Sequence, residues 1–374
     1  SRDEVLAEAD ALGFVDRPSA ETVAKLKAGQ WVIGMLGSFT DADYVAALEK
    51  AGLVGIAIEK LPRKLSSAQS MDEMTSQNSV MGYKAAITAA DAYGSFLPMM
   101  TTAAGTIRPA KALVLGAGIA GLQAIGTLKR LGAVVTAYDV RPASQGEVES
   151  LGAKFLDLGL DFSKGQGEGG YARALSAEEQ AQQQAAVDEK AAGFDIIITT
   201  AKVPGRKPPV LLTAAGVKGL KRGAVIVDCA ASDLGGNVEG SAVGEQVTEG
   251  GVKLIGAPYL ASGVATTASN LLSRNVADIL VHFVRDGKLG QDLTEELDDA
   301  LVVAGRCREV REVRKKEYHA YSRRFHYPVR PRAAHRHRGH RQGARHPAHA
   351  AYVRRELHPR HRHRRRCDRG SRSQ

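Results

Sequence analysis

The chain has 374 residues, 44% of them hydrophobic, which is enough for two domains with cores of their own. Its formal net charge is +10, but residues 305–374 hold 23 Lys and Arg against 5 Asp and Glu, so residues 1–304 are acidic with a net charge of −8. This distribution excludes nucleic-acid binding by the acidic body, and its single cysteine, Cys229, excludes an internal disulfide there.

The first 60 residues predict a truncated α/β unit that begins part-way into a domain. We expect helix over residues 1–30 with a break near Gly13, then a strand at 31–36, a helix at 41–51 and a strand at 54–59. Strands this short need neighbours to be stable, so a small sheet is predicted here.

A polar loop at residues 60–70 precedes a long predicted helix at 71–96. A regular alternation of strands with helices or loops begins near Lys111. Its apolar strand candidates are residues 112–115, 134–138, 155–158, 195–200, 224–227 and 252–255. Because continuous apolar runs are typical of strands buried on both faces, we predict a parallel sheet. An amphipathic helix at 266–284 is predicted to return the chain to the first domain.

The character of the chain changes after about Ala304, where Arg, His, Pro and Ala dominate and Lys disappears beyond Lys316. Such a segment buries too little apolar surface to offset its chain entropy, so we predict disorder. A GC-rich gene read out of frame encodes this composition, and we interpret residues 305–374 as a frameshift product. A solvated natural tail, a nucleic-acid arm and a His-rich metal tract are the alternatives.

A glycine motif follows the strand at 112–115 and opens a predicted helix at 122–131. Gly116 permits a tight turn, Gly118 allows close approach of a pyrophosphate, and Gly121 allows the helix to pack on the strand. Free N–H groups at the helix start favour phosphate. The motif therefore predicts a Rossmann unit that binds a dinucleotide; the alternative is an ordinary glycine turn.

Asp139 follows the next predicted strand, 18 residues after Gly121. Its carboxylate can accept hydrogen bonds from an adenosine ribose and repel a 2′-phosphate, which favours NAD over NADP. Arg141 lies two residues further along and is compatible with NADP; we favour an orientation toward solvent or a diphosphate. Asp139 as a mere cap at the strand end is the alternative.

The polar loop contains Arg63, Gln69 and Asp72 directly before a helix. A carboxylate or hydroxyl at such a position caps a helix N-terminus, and Ser70 or Asp72 need do nothing more. The residues by themselves leave capping and substrate contact as equal alternatives. Residues 1–304 contain no CxxC motif and no His/Cys cluster, so no metal site is predicted there.

These residues together resemble the NAD(H)-binding domain of the proton-translocating NAD(P) transhydrogenase family, which is related to alanine dehydrogenase. The resemblance covers about residues 1–304 and is carried by Pro62-Arg63, Ala68-Gln69-Ser70-Met71-Asp72, Ser76-Gln77, Gly82-Tyr83, Ala103-Ala104-Gly105-Thr106, the turn beginning at Gly116, Gly169-Gly170-Tyr171-Ala172, Thr199-Thr200-Ala201, Pro204-Gly205 and Gly235-Gly236-Asn237.

The resemblance implies an α/β fold of two Rossmann-like lobes with parallel sheets, joined by long helices, with the NAD site in the cleft. Residues 1–80 and 270–304 are expected to form the first lobe, part of which precedes this sequence. Residues 81–269 are expected to form the NAD(H)-binding lobe, followed by the tail at 305–374.

The resemblance also implies the site residues. Arg63, Gln69, Asp72 and Thr75 are expected to hold the nicotinamide and its carboxamide. The expected nucleotide contacts are Gly116, Gly118, Ile119, Gly121, Asp139, Val140, Arg141, Gly170, Tyr171, Gln183 and Lys202, of which Gly170 and Tyr171 lie on the family's mobile loop.

Several positions depart from the family pattern. The loop from Arg63 to Gln69 is one residue longer than the common form, so Lys64 competes with Arg63 for the basic position. Ser67 replaces a second Arg, Thr75 stands where Ser is common, and Lys202 stands where an apolar residue is usual.

The function implied is direct hydride transfer between NAD(H) on this chain and NADP(H) on a partner subunit, coupled to proton translocation. The expected partners are a second copy of the chain, a membrane-embedded proton-channel subunit and an NADP(H)-binding beta subunit, with no nucleic acid. The expected location is cytoplasmic, at the inner face of the bacterial plasma membrane.

Two other functions are kept as alternatives. One is an amino-acid dehydrogenase of the alanine dehydrogenase type, which uses a Lys and a His from the first lobe; no His precedes His282 in this sequence. The other is a non-catalytic NAD(H)-binding module.

Overall fold

The computed structural model describes residues 1–160, 175–202 and 207–306, together with the backbone of residues 311 and 312. The helices in these ranges are α1 (Arg2–Glu8), α2 (Ala20–Ala24), α3 (Ala42–Lys50), α4 (Glu73–Ala92), α5 (Ile119–Arg130), α6 (Ser144–Ser150), α7 (Ala177–Ala191), α8 (Ala214–Lys218), α9 (Ala265–Phe283) and α10 (Glu296–Leu301). The strands are β1 (Ala11–Gly13), β2 (Trp31–Gly34), β3 (Val54–Ala57), β4 (Met100–Thr102), β5 (Gly105–Ile107), β6 (Lys111–Leu115), β7 (Val134–Tyr138), β8 (Lys154–Phe155), β9 (Ile196–Thr199), β10 (Val225–Asp228), β11 (Gly244–Val247), β12 (Lys253–Gly256), β13 (Val284–Arg285), β14 (Lys288–Leu289), β15 (Val302–Ala304) and β16 (Arg311–Glu312). Short 3₁₀ helices span Ile58–Lys60, Ser66–Met71 and Leu260–Val264.

Most strands belong to two sheets. One has the order β1-β2-β3-β15 and the other the order β11-β12-β10-β9-β6-β7-β8. Neighbouring strands run parallel, except that β15 and β11 are antiparallel to β3 and β12. This α/β architecture with largely parallel sheets confirms the predicted fold class. The predicted lobe boundaries stay a prediction.

The expectation of helix over residues 1–30 is wrong in one segment. Residues 11–13 form β1, which pairs in parallel with Trp31–Ile33 of β2. Such a short strand exists because its backbone completes the ladder of a neighbour 20 residues away, a contact that local propensity does not reveal. The sequence pattern also misses strands β4, β5 and β11, because every residue in them is exposed and no apolar pattern marks them.

Alternate residues of each strand in the seven-stranded sheet face opposite cores. Ala112 and Val114 pack with α4 and α5 on one face. Leu113 and Leu115 pack with α7 and α8 on the other. Burial on both faces explains the continuous apolar runs in the sequence.

The four-stranded sheet is covered by α9 on one face, where the rings of Trp31 and Phe283 meet edge to face with centroids 5.1 Å apart. On the other face Val32 packs with Leu48 of α3. Helix α9 therefore carries residues 265–283 back to the sheet formed by the N-terminal strands, as its amphipathic pattern predicted.

Helix α4 crosses the start of α5 with no room for a side chain between them. A Cβ atom added at Gly82 would lie 2.0 Å from the carbonyl oxygen of Ala120, far inside van der Waals contact. Gly82 is buried, so the helices touch backbone to backbone. This crossing fixes α4 against the glycine motif.

The chain divides into two units, Ser1–Lys315 and Lys316–Gln374, and the second lies outside the described residues. The backbone of Arg311 and Glu312 in β16 pairs with β14. The origin and disorder of the segment from 305 onward stay predictions. No helix among the described residues is long and apolar enough to cross a membrane.

We predict that Gly82→Ala lowers the free energy of unfolding by about 1–3 kcal/mol, the usual cost of overpacking. Gly126→Ala is the matched control, because Gly126 also lies inside a helix but its added Cβ would meet nothing in the described structure closer than 3.8 Å. Alanine there is expected to leave stability unchanged or to raise it by up to about 1 kcal/mol. Urea unfolding followed by circular dichroism compares the two variants; equal stabilities would contradict the tight crossing.

Candidate functional site

The glycine motif forms the turn between β6 and α5. Gly116 has φ of 100°, which favours glycine, and a Cβ there would lie 2.7 Å from Oγ1 of Thr200. A Cβ at Gly121 would lie 1.8 Å from the carbonyl oxygen of Gly116. Both positions therefore require glycine for the turn to close and for α5 to pack on it.

Gly118 differs from these two because its surroundings are open. A Cβ added there would meet no atom of the described residues within 4 Å, and Gly118 caps α5 without a side-chain hydrogen bond. Ile119 begins the helix. An uncapped helix start beside open space suits an anionic group such as a phosphate.

Asp139 lies beside this turn because the ends of β6 and β7 are paired, Leu115 opposite Tyr138. Its Oδ2 accepts a hydrogen bond of 2.8 Å from the backbone N–H of Ala117. Arg141 donates to both carboxylate oxygens, from Nε to Oδ1 at 2.9 Å and from Nη2 to Oδ2 at 3.0 Å. The guanidinium thus folds back onto Asp139 and is not directed into solvent. Val140 between them is partly buried against the sheet's second core.

The polar loop and the first turn of α4 form a second group. Arg63 donates from Nε to Oδ2 of Asp72 at 2.8 Å and from Nη2 to Oγ1 of Thr75 at 3.1 Å. Asp72 caps α4 by accepting from the backbone N–H of Thr75 at 2.9 Å, and the Thr75 hydroxyl donates to the same carboxylate. The structure therefore brings Arg63, Asp72 and Thr75 together, and the capping role that the sequence allowed for Asp72 is present.

The two other candidates in this loop point elsewhere. Lys64 and Gln69 are exposed, so Arg63 is the basic residue that meets Asp72. Burial by itself would raise the pKa of Asp72, but hydrogen bonds from Thr75 and Arg63 outweigh it and hold the pKa below its ordinary value. Asp72 is therefore ionised, and the amide of Gln69 is accessible beside it.

Helix α9 holds this loop in place through Asn275, which sequence reasoning did not identify. Its Nδ2 donates to the carbonyl oxygen of Ser70 at 2.8 Å, and its Oδ1 accepts from the hydroxyl of Ser76 at 2.7 Å. Gln77 donates to the carbonyl oxygen of Ala268 at 3.0 Å. These partners lie about 200 residues apart, so no local pattern marks them.

The segment after β9 is held against the glycine turn. The hydroxyl of Thr200 donates to the carbonyl oxygen of Gly116 at 3.0 Å. Asn237 is fully buried and bonds both the N–H and the carbonyl of Ala201, at 2.9 and 2.8 Å. Lys202 follows and is exposed. Thr200 and Asn237 belong to motifs noted in the sequence, but their positioning role appears only in the structure.

Gln183 is buried in α7, and its Nε2 donates to the hydroxyl of Tyr138 at 3.0 Å. Burial raises the pKa of that tyrosine to about 12, so its hydroxyl stays protonated. Gln183 therefore lies behind the residue that precedes Asp139. Gly170 and Tyr171 lie outside the described residues.

Glu73 is a further charged residue that sequence reasoning missed. It follows Asp72, and burial together with the nearby carboxylates of Asp72 and Glu59 raises its pKa to about 7, against an opposing effect of Arg63. Glu59 is occupied by hydrogen bonds from the backbone N–H groups of Leu36 and Ser38.

Two other groups bear on the chemistry available to the chain. Cys229 is fully buried, which raises its thiol pKa to about 12 and keeps it protonated and unreactive. Donor atoms of His282, Glu295 and Asp298 lie within 4.8 Å of one another. However, Arg285 donates to both carboxylates at 3.0 Å and supplies the positive charge that a cation would bring.

Comparison with known proteins relates the whole described body to one family. The model of the alanine dehydrogenase/PNT N-terminal domain matches residues 1–81, and that of the C-terminal domain matches residues 85–307. The chain is 42% identical over 296 residues to an NAD(P) transhydrogenase subunit alpha protein of Rickettsia prowazekii, covering 77% of this chain and 76% of that protein.

Solved structures show the same relationship. The crystal structure of transhydrogenase from Sinorhizobium meliloti matches with a TM-score of 0.70 and 41% identity, covering 81% of each chain. A structure of L-alanine dehydrogenase matches with a TM-score of 0.62 and 22% identity, covering 86% of this chain and 83% of that one. The second likeness concerns the fold alone.

We predict that Glu73→Gln stabilises the protein at pH 8 by roughly 1–3 kcal/mol and has little effect at pH 4.5. The folded pKa of about 7 lies above the ordinary value of 4.5, so ionising Glu73 costs stability progressively as the pH rises from about 4.5 to 7, and the full cost applies above that range. Glu49→Gln, at an exposed position of α3, is the control. Thermal unfolding across this pH range tests the prediction, and a benefit that does not grow with pH would contradict it.

Proposed function

The chain belongs to the alanine dehydrogenase/PNT family, and from this premise we propose that it is the NAD(H)-binding subunit of a proton-translocating NAD(P) transhydrogenase. Its activity is direct hydride transfer between NAD(H) on this chain and NADP(H) on a partner subunit, coupled to proton translocation. The observation that carries the proposal is the placement of α4, which bears the Arg63–Asp72–Thr75 network at its first turn and closes on the start of α5 at Gly82.

The residues of the glycine turn fit a dinucleotide. Gly118 and Ile119 would receive the pyrophosphate at the uncapped start of α5, and Gly116 and Gly121 keep that space free of side chains. Asp139 would accept hydrogen bonds from the adenosine ribose hydroxyls. The proposed set of nucleotide contacts also includes Val140, Arg141, Gly170, Tyr171, Gln183 and Lys202.

The polar loop would orient the nicotinamide. Gly82 lies ten residues after Asp72, so about 15 Å of helix separates the polar network from the crossing at α5. We assign Arg63, Asp72 and Thr75 to a rigid frame and the exposed Gln69 to the carboxamide. The frame is rigid because each of its polar groups is hydrogen-bonded and Asn275 anchors the loop from α9.

When bound, NAD(H) supplies or accepts a hydride at its nicotinamide ring. The chain needs neither a nucleophile nor a general base for this chemistry; its residues orient the ring and exclude water. The protonated thiol of Cys229 and the lack of any His in residues 1–281 agree with such a role.

We place the subunit in a larger assembly. It acts as a homodimer at the cytoplasmic face of the bacterial plasma membrane, with a membrane-embedded proton-channel subunit and an NADP(H)-binding beta subunit. The name of the Rickettsia relative, a subunit alpha protein, supports this arrangement because it describes one component of a multi-subunit enzyme.

The test reconstitutes the full chain with membranes that contain its partner subunits and follows reduction of a spectroscopically distinct NADP analogue by NADH. We predict that Asp72→Asn lowers this rate by roughly 10- to 100-fold, since asparagine still caps the helix but no longer pairs with Arg63. NADH affinity, measured by fluorescence, is expected to stay within about threefold because the glycine turn is untouched. Glu49→Gln is the control.

The other outcomes discriminate between functions. Oxidation of NADH only in the presence of pyruvate and ammonia would identify an alanine dehydrogenase activity. Binding of NADH with no hydride transfer in the complete assembly would identify a non-catalytic module. Either result would overturn the proposal.

A further inference from the structure

The carboxylate of Asp139 is fully occupied by hydrogen bonds from its own chain. Oδ1 accepts from the backbone N–H and from Nε of Arg141, both at 2.9 Å. Oδ2 accepts from the backbone N–H of Ala117 at 2.8 Å and from Nη2 of Arg141 at 3.0 Å. A carboxylate offers about four lone-pair sites, so all of them are taken.

The guanidinium of Arg141 is also held against the glycine turn. Its Nη2 donates to the carbonyl oxygen of Ala117 at 3.3 Å, and the side chain is 22% exposed while that of Asp139 is 9% exposed. The pair is therefore partly shielded from water, where an ion pair of this two-pronged geometry is stronger than one on the open surface.

We propose that Arg141 is a specificity-determining residue that competes with the adenosine ribose for Asp139. This inference rests on the proposed binding of NAD(H) to this chain. The ribose hydroxyls can donate to Asp139 only after the guanidinium has left, since they need the lone pairs that it holds. The backbone N–H groups of Ala117 and Arg141 keep the carboxylate in position during this exchange, so only the arginine side chain moves.

The competition acts differently on the two nucleotide classes. For NADH it reduces affinity, because the site is open only in the fraction of molecules whose guanidinium is displaced. For NADPH the same guanidinium offsets the repulsion between Asp139 and the 2′-phosphate. Arg141 thus narrows the discrimination that Asp139 alone would impose.

The experiment measures the affinities of the full chain and of its Arg141→Ala variant for NADH, NADPH and reduced nicotinamide mononucleotide by calorimetry. Arg141→Ala is expected to bind NADH about fivefold more tightly and NADPH more weakly, since the loss of a partly shielded ion pair is worth about a factor of five. The mononucleotide, which has no adenosine ribose, is expected to bind both proteins equally.

Two further variants serve as controls. Arg130→Ala removes the same charge from an exposed position of α5 and is expected to leave the ratio of NADPH to NADH dissociation constants unchanged. Arg141→Lys keeps the charge but not the two-pronged contact, so its NADH affinity is expected to lie between those of the wild type and the alanine variant. It also preserves a folded variant for comparison if alanine destabilises the turn.

The outcomes separate this inference from the proposed function. If the unaltered chain binds NADH and Arg141→Ala binds it equally or more weakly, Arg141 is a ligand or a bystander and the competition is overturned. If the unaltered chain binds no NADH, the proposed function fails and the inference fails with it. A gain that appears equally for the mononucleotide would also overturn it, because the effect would not pass through the ribose.

Discussion

The backbone contact between Gly82 of α4 and Ala120 of α5 is the constraint on which the arrangement of the candidate site depends. It joins the helix that begins at Asp72 to the helix that begins at the glycine turn, with no side chain between them to vary the spacing. A rigid helix then sets the distance from the polar loop to the turn. Any shift at this crossing would be transmitted along α4 to the Arg63–Asp72–Thr75 network, because packed helices move as rigid elements.

Buried carboxylates recur wherever the chain leaves a strand or enters a helix near the site. Asp228 is completely buried, yet it accepts hydrogen bonds from the hydroxyl of Thr199 and from the backbone N–H groups of Ala230 and Val238. Asp72 and Asp139 are bound in the same manner. Burying a charge is costly unless its lone pairs are filled, so these loops are held in single conformations by groups that cannot be left unpaired. The same principle makes the occupant of Asp139 informative, because a ligand must replace what it displaces.

Glu73 contrasts with these residues. Burial and the neighbouring Asp72 and Glu59 raise its pKa to about 7, and its ionisation is therefore a cost. Its position directly after Asp72, in the first turn of α4, places a destabilising charge where the proposed nicotinamide contacts lie. Local instability of this kind is typical of functional sites, since the surrounding fold supplies the stability that the site lacks.

The amino-acid sequence by itself determined the features whose cause is local. The strand at 111–115, the glycine turn with its required small residues and the amphipathic helix α9 all follow from patterns within about 20 residues, and the parallel sheet follows from runs buried on both faces. The likeness of residues 62–83 to a known family singled out Arg63, Asp72 and Thr75. Only the tertiary structure decided that Arg63 and not Lys64 meets Asp72, that Asn275 anchors the loop, that residues 11–13 form a strand and that Arg141 covers Asp139. These features depend on contacts between distant segments or on the direction of one flexible side chain, and neither leaves a periodic trace in the chain.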